Sequence, residues 1–526
     1  MAWLFESLTP VVEKAFDPIF GPILFSVIAC LVTYAVSRVS WDLNVRSDSL
    51  EPKFPPTAPY AIPLLGSIPS IIFDTKKFIH NSTWALKTPN PFAFRLFTKK
   101  FFVLQGAANI NAFWKKESQM IGMTAQIYCL KYLFGMPKSA LDVYVADNSG
   151  FNEKPAPKAT FNLKIASITS LIPLFWHLPR LKGLNTFDEW IEHPSLLSFF
   201  ERDFALAVVE ASCGSILERE NPDFAEDLAT YTRVTPVLSK GIPRIFAPKA
   251  YGIRDKLLGN IKDWHRRARE EWVPECVEED GDADPYWGSE FMRSRQTMFA
   301  DFRGFDADAA ASSDLGFTWA LIYNIVPTMM WVVLQIHKDP LLRTSIRAEL
   351  SSFSLLTPTF HPTSIKTLVK LPRLQAVYAE CLRLFDHPFI PRETIEEVQV
   401  NNWKFPKDST IVISTHEAQS DSHVWNTGIN NSHPIESFWA ERFLAYPSDP
   451  LSGPILRSAI MPSNLPAYDE LLKTELESGR GDEPVFAEKA TLGHWIPYGG
   501  GARICPGRHF AKKAISHGSG YDDGDV

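Results

Sequence analysis

The sequence predicts a mainly α-helical protein with a minor β component, joined to a single membrane-spanning helix near its N-terminus. Helical periodicity of apolar residues dominates the body of the chain, for example from Ser195 to Leu217 and from Asp255 to Trp272. Short strand-like runs such as Ser409–Thr415 predict the β component. The uncharged stretch Ile19–Val36, at about 1.5 Å per residue, nearly crosses the hydrocarbon layer of a bilayer.

The charges that flank this stretch predict its orientation. Acidic residues dominate before it, and the basic residues that follow it are Arg38, Arg46 and Lys53. The positive-inside bias therefore places the long C-terminal part in the cytosol. We predict a single-pass anchor in contact with membrane lipid, and a buried core helix is the alternative.

The composition excludes several classes of protein. The chain has 526 residues, with 53 Lys and Arg against 60 Asp and Glu, so it has no basic excess for binding nucleic acid. A content of 45% hydrophobic and 21% charged residues is typical of a folded chain and excludes a disordered or multi-spanning protein. Six cysteines without paired spacing indicate reduced thiols, of which only Cys505 is expected to carry chemistry.

The pattern along the chain predicts four segments. Residues 1–40 form the N-terminal tail and anchor, and residues 41–74 form a hinge whose prolines favour an extended path. Residues 75–514 form the main folded domain, which contains the candidate site described next, and residues 515–526 are an atypical polar tail.

The segment Trp495–Ala514 contains the main candidate site. Its spaced residues follow the pattern G-x-R-x-C-x-G after an aromatic residue, and they are Tyr498, Gly501, Arg503, Cys505 and Gly507. Glycines permit a tight bend and a close approach to a flat ligand. A helix beginning near Pro506 would favour a Cys505 thiolate through its N-terminal amides. The alternative is a glycine-rich turn that carries an inert cysteine.

This segment resembles the cysteine loop of the cytochrome P-450 family, the haem-thiolate monooxygenases. The resemblance implies haem b, iron protoporphyrin IX, with Cys505 as the axial ligand of the iron. It also implies that Tyr498, Gly501, Arg503 and Gly507 contribute to cofactor binding, with Arg503 pairing with a propionate. A thiolate ligand favours cleavage of the O–O bond.

Further motifs follow the family's order. Glu380 and Arg383 fit an E-x-x-R helix, and Arg442 fits the downstream segment whose arginine completes a structural Glu-Arg-Arg network. Arg392 resembles the strand arginine that contacts a propionate. His416, with Asp421, matches a segment that we interpret as structural.

The apolar stretch Asp314–Ile336 resembles the helix that crosses the distal face of the haem. The usual pattern A/G-G-x-D/E-T places an acid and a threonine there to deliver protons. Here Ala320 occupies the first position, Tyr323 replaces the acid and Asn324 replaces the threonine, and Pro327 is expected to bend the helix. The catalytic candidates are therefore Ala320 and Asn324. The pattern resembles the branch that contains sterol 7α- and 12α-hydroxylases and prostacyclin synthase, near fungal secondary-metabolite enzymes.

The resemblance implies a monooxygenase in the endoplasmic reticulum membrane, facing the cytosol. It is expected to hydroxylate a lipophilic terpenoid, sterol-like compound or other secondary metabolite. Since the sequence has no G-x-G-x-x-G or P-loop, electrons are expected from a partner NADPH-dependent cytochrome reductase. The alternatives are a reductase-independent isomerase of the prostacyclin-synthase type and a truncated, non-catalytic remnant. Family members continue further beyond the cysteine, so we expect the chain as written to bind haem poorly or to be unstable.

Overall fold

The structure is a computed structural model of the whole chain. It describes residues 20–46, 51–146, 195–277, 284–302, 304–351, 368–460, 462, 464–477, 479, 481–512 and 515. The chain forms two compact units, the first from residues 1–121 and 389–418 and the second from residues 122–388 and 419–526. The prediction of a mainly helical chain with small sheets is confirmed.

The helices and strands are numbered along the chain. The α-helices are α1 (Phe20–Arg46), α2 (Ile68–Leu86), α3 (Ala107–Trp114), α4 (Met123–Tyr132), α5 (Lys138–Ala146), α6 (Leu196–Phe199), α7 (Ala205–Cys213), α8 (Ser215–Glu220), α9 (Phe224–Ser239), α10 (Pro248–Glu271), α11 (Glu290–Asp301), α12 (Ala307–Lys338), α13 (Pro340–Ser351), α14 (Pro372–Phe385), α15 (Thr415–Gln419) and α16 (Leu465–Glu477). The strands are β1 (Phe92–Leu96), β2 (Lys99–Leu104), β3 (Met120–Ile121), β4 (Phe389–Thr394), β5 (Val398–Val400), β6 (Trp403–Phe405), β7 (Thr410–Ser414), β8 (Leu444–Ala445) and β9 (Val485–Phe486).

The first unit is built on a five-stranded sheet of order β1-β2-β7-β4-β3. Strand β7, which lies in the strand-like run Ser409–Thr415, pairs in parallel with β2 and antiparallel with β4. Strands β5 and β6 form a separate antiparallel pair. Because β7 is the central strand of this sheet, the sheet positions helix α15, which follows β7 directly.

Helix α1 is one of two described helices that are long and apolar enough to cross a membrane. The other, α12, is half buried within the protein. Helix α1 extends beyond the uncharged stretch to Arg46, and Trp41 near its end packs edge-on against Phe92. Helix α2 begins at Ile68, inside the proline-rich segment, because Pro69 in its first turn has no N–H that must be bonded.

Helix α12 crosses the second unit and packs against α7, α10 and α14. It begins where the Asp306 side chain accepts a hydrogen bond from the Ala309 N–H at 2.9 Å. Its 32 residues exceed the predicted stretch at both ends, and Pro327 does not interrupt the helix. The tail, residues 516–526, lies outside the described residues.

Candidate active site

Cys505 lies on a tight loop that leads directly into helical backbone. A 3-10 turn at Gly501–Arg503 precedes it, and Gly501 has φ +70°, a left-handed conformation that glycine adopts without strain. The Cys505 N–H donates to the Tyr498 carbonyl at 2.9 Å and closes the loop. Helical backbone starts at Arg508, slightly later than the sequence predicts. The sulfur is therefore presented at the beginning of a helical turn.

The protonation of Cys505 reflects opposing influences. Protein packed around the sulfur removes water and raises the pKa of the Cys505 thiol above its ordinary value. The N–H groups of Gly507 and Arg508, with the Arg508 guanidinium, lower the pKa because they stabilise the thiolate. The amides thus act in the expected direction, but desolvation is the larger effect. A metal cation at the sulfur reverses this balance, since a coordinating thiol is deprotonated.

Two aromatic residues of the cysteine loop form hydrogen bonds to α14. The hydroxyl groups of Tyr498 and Tyr378 share a hydrogen bond of 2.5 Å. The Trp495 ring packs edge-on against Tyr498 with centroids 5.8 Å apart, and its N–H donates to the Ala379 carbonyl at 3.2 Å. The position of Cys505 relative to α14 is therefore fixed by side chains in the loop itself.

The structure brings Glu380, Arg383 and Arg442 together in a fully buried network. Arg442 Nε donates to Glu380 Oε1 at 3.2 Å, and Arg383 donates to both carboxylate oxygens of Glu380. Arg383 also donates to the carbonyls of Gln419 and Ile435, at 3.0 and 2.8 Å. The network therefore joins α14 to the segment before Arg442, as an architectural element rather than a reactive one.

One face of α12 is exposed within an otherwise buried helix. From Ala309 to Ile336 every residue is buried or half-buried except Ala320, Tyr323, Asn324 and Pro327. Because residues three and four apart lie on one side of a helix, these four form a single stripe. We call it the α12 stripe, and it contains both residues predicted to be catalytic, Ala320 and Asn324.

The hydroxyl groups of the two threonines on α12 are directed into the helix. Thr328 donates to the Asn324 carbonyl at 2.6 Å, and Thr318 donates to the Asp314 carbonyl at 2.9 Å. Neither lies on the α12 stripe, so neither replaces the threonine missing from position 324. The polar side chains of the stripe are the Tyr323 phenol and the Asn324 amide.

Asp386 is a further candidate site residue, which the sequence motifs do not identify. It follows α14 directly, and burial raises the pKa of its carboxyl to about 6. Its charge also contributes to raising the pKa of Tyr323 and that of Cys505, so the carboxyl lies within electrostatic range of both. The sequence signal that could identify this residue is a carboxylate that directly follows a helix rich in apolar residues.

A second buried network holds α12 in place. Asp314 accepts hydrogen bonds from Arg295 at 2.6 and 3.0 Å and from Gln296 at 2.7 Å, and it pairs with His265 at 2.9 Å. Burial alone would raise the pKa of Asp314, but Arg295 and His265 lower it by more, so the net shift is downwards. The ionised carboxylate therefore connects α10, α11 and α12.

Arg392 lies on β4 of the first unit. It is buried, its guanidinium stands over the Trp114 ring at 5.5 Å, and its Nη1 donates to the Pro391 carbonyl at 3.0 Å.

In the second unit, Arg503 ends the 3-10 turn and is half-buried. A Cβ atom on Gly507 would meet the Cys505 sulfur at 3.7 Å, an ordinary contact, so the surrounding protein does not itself demand glycine there.

The chain is similar in sequence and in fold to known proteins. The family model described as Cytochrome P450 matches residues 300–445. The chain is 29% identical to cytochrome P450 monooxygenase efuG of Hormonema carpetanum, over 97% of this chain and 91% of that protein. It is 28% identical to cytochrome P450 monooxygenase fsoE of Humicola fuscoatra, over 93% and 86%. The retinoic acid bound cyanobacterial CYP120A1 has the same fold, with a TM-score of 0.60 and 18% identity over 89% of this chain and 91% of that one.

The donor set of the second unit fits a haem held by a thiolate. Two backbone N–H groups stabilise the Cys505 thiolate, and Arg503 is a cation in the turn that precedes it. Thiolate sulfur is a suitable ligand for haem iron. A haem-thiolate cofactor, a small-molecule substrate and a redox partner follow from the relationship to P450 monooxygenases. The chain is a P450-type monooxygenase and belongs to the cytochrome P450 family.

Proposed function

We propose that the chain hydroxylates a lipophilic small molecule, a terpenoid, sterol-like compound or other secondary metabolite, bound against the α12 stripe. The observation that carries this proposal is the stripe itself, because it is the exposed face of a helix that the protein otherwise buries from Ala309 to Ile336. Ala320 leaves room for a substrate there, and the stripe has no charged side chain. An uncharged face of this kind favours an apolar ligand.

Haem b is the proposed cofactor, with the Cys505 thiolate as the axial ligand. Arg503 would pair with a propionate, and Tyr498, Gly501 and Gly507 would shape the loop that holds the haem. The contact of Arg392 with a propionate stays a prediction. When bound, a thiolate-ligated haem supplies the activation of dioxygen that inserts one oxygen atom into a C–H bond. The Gly507 and Arg508 amides would help to stabilise the thiolate, which the bound iron would keep deprotonated.

The proton supply is proposed to run through groups beside the α12 stripe. The Asn324 amide orders a water molecule by donating and accepting hydrogen bonds, but it cannot relay a proton as a hydroxyl does. Tyr323 carries a hydroxyl on the same stripe, and Asp386 has a pKa of about 6. A carboxyl that titrates near neutral pH is suited to exchanging protons. Asp386 would therefore hold the proton, with Tyr323 and a water molecule at Asn324 passing it on.

Helix α1 is proposed as a single-pass anchor in the endoplasmic reticulum, with both units facing the cytosol. Its exposed surface is apolar over much of its length, and basic residues follow its uncharged part. This placement would give the enzyme contact with membrane lipid, which dissolves lipophilic substrates. It would also place it beside an NADPH-dependent cytochrome reductase, the proposed electron donor.

Product analysis under labelled dioxygen tests this function. Membranes containing the chain and a cytochrome reductase would be given terpenoid and sterol substrates with NADPH. We expect a product that carries one atom from labelled dioxygen and that forms only when both NADPH and the reductase are present. Conversion to an isomer without NADPH would overturn the hydroxylase proposal and favour a reductase-independent isomerase. The inward-directed hydroxyl groups of Thr318 and Thr328 are the observation that favours this second candidate.

A further inference from the structure

Three metal-binding side chains meet in the first unit, outside the cysteine loop and α12. His80 lies on α2, and His416 and Glu417 lie in the first turn of α15. Their ligand atoms all lie within 4.8 Å of one another. We propose that His80, His416 and Glu417 form a binding site for a divalent transition-metal ion, with Zn²⁺ as the favoured occupant. This site is separate from the proposed hydroxylation and does not depend on it.

The geometry is close to that of a metal centre. His80 Nδ1 and Glu417 Oε1 are 3.4 Å apart, and the rings of His80 and His416 are inclined at 52° with centroids 6.0 Å apart. Bond lengths of about 2.0–2.2 Å in a tetrahedral zinc site place ligand atoms roughly 3.4 Å from one another. The His80 and Glu417 pair already has this separation. His416 has its ligand atom within 4.8 Å of those of His80 and Glu417, so binding of an ion requires it to move closer to them.

The three side chains differ in exposure in a way that suits an ion arriving from solvent. The Glu417 side chain is only 9% exposed, whereas that of His80 is 51% exposed. A carboxylate withdrawn from water is stabilised by a cation bound beside it. The exposed imidazole leaves a route by which the ion reaches that carboxylate.

Regular secondary structure holds all three ligands. Helix α15 follows β7, which lies between β2 and β4 in the five-stranded sheet. Ile79, next to His80, is buried and fixes α2 against the protein. Ligands on packed helices keep their positions better than ligands on loops. A bound ion would therefore connect α2 to the end of β7 within the first unit.

The ligand types select the metal. Two imidazole nitrogens and one carboxylate oxygen are typical of zinc centres that keep a fourth position for water. Mg²⁺ and Ca²⁺ prefer oxygen ligands and are expected to bind poorly here. Cu²⁺ and Ni²⁺ also favour imidazole, so they are expected to compete with Zn²⁺ for the same residues.

Zinc titration of the full chain without a polyhistidine tag tests the site. The purified protein would be stripped of free metal and titrated with Zn²⁺ in competition with a chromophoric chelator. We expect one ion bound per chain and a rise in melting temperature with Zn²⁺ but not with Mg²⁺. His80→Ala and Glu417→Gln should each weaken Zn²⁺ binding by at least about tenfold. The matched control is His423→Ala, an exposed histidine outside the cluster, which should leave binding unchanged.

Three results would overturn the site. Zinc affinity that is unchanged in His80→Ala would show that the cluster does not hold the ion. Equal weakening in His423→Ala would mean adventitious binding to surface histidines. Equal stabilisation by Mg²⁺ would mean a non-selective effect of divalent ions. Because His80 is half-exposed on a helix surface, its alanine variant is expected to fold. Weaker Zn²⁺ binding in this variant can therefore be attributed to the missing imidazole.

Discussion

Arg383 donates hydrogen bonds to both carboxylate oxygens of Glu380, which lies one turn earlier on the same helix. Its Nε donates to Oε2 at 2.7 Å and its Nη2 donates to Oε1 at 2.8 Å, with both side chains almost completely buried. Oε1 also accepts from Arg442, so one carboxylate balances two buried guanidinium groups. The stability of the second unit should therefore depend strongly on this single negative charge.

Replacing Glu380 by glutamine should destabilise the chain severely. The change leaves Arg383 and Arg442 buried without a counter-charge, which typically costs about 3–5 kcal/mol in free energy of unfolding. The measurement is the denaturant midpoint of the purified protein. The matched control is Glu470→Gln, an exposed glutamate on α16, for which we expect a change below about 0.5 kcal/mol. Equal stability of the two variants would contradict the role assigned to the network.

Asn324 should control how efficiently electrons are converted into product. Asn324→Leu removes the amide that orders water on the α12 stripe, so product formed per NADPH should fall, by up to about 10²-fold if proton transfer fails. Asn324→Thr, which restores a hydroxyl, should keep or raise it. Thr328→Val is the control, because that hydroxyl donates to backbone and lies off the stripe. Unchanged coupling in Asn324→Leu would exclude the amide from the reaction.

Asp386 should make stability depend on pH. Burial raises its pKa from 3.8 to about 6, so the folded chain holds this proton more tightly than the unfolded chain does. The resulting stabilisation is fully present below about pH 4 and is lost as the pH rises through about 6, a loss of up to about 3 kcal/mol. Asp386→Asn should therefore raise the melting temperature at pH 8 and change it little at pH 4.

The control for this pH effect is Asp301→Asn, which alters an exposed carboxylate at the end of α11. It should not produce the same difference between pH 4 and pH 8. A stabilisation by Asp386→Asn that was equal at both pH values would show that burial of this carboxyl is not its cause.

The sequence predicts those parts of the site that depend on local spacing. Ala320 and Asn324 are four residues apart, so helical geometry alone places them on one face of α12. The glycine pattern likewise predicts the bend before Cys505, where Gly501 has a positive φ. Such features depend on neighbours in the chain, which a sequence displays directly.

Features that depend on long-range packing are not visible in the sequence. The position of Asp386 within range of both Tyr323 and Cys505 results from how α12, α14 and the cysteine loop pack. The net rise in the pKa of Cys505 depends on desolvation, which no motif reports. His80 lies far from His416 and Glu417 in the chain, so their meeting could not be predicted from spacing.

The central claim is that the Cys505 thiolate holds a haem, and the carbon-monoxide difference spectrum of the reduced, membrane-expressed chain tests it most directly. Cys381→Ala serves as the control, because that cysteine is buried in α14. We predict a strongly red-shifted Soret band, of low amplitude because the chain as written is expected to bind haem poorly, that persists in Cys381→Ala and disappears in Cys505→Ala. A band that survives in Cys505→Ala, or no red-shifted band in the unaltered chain, would contradict the account.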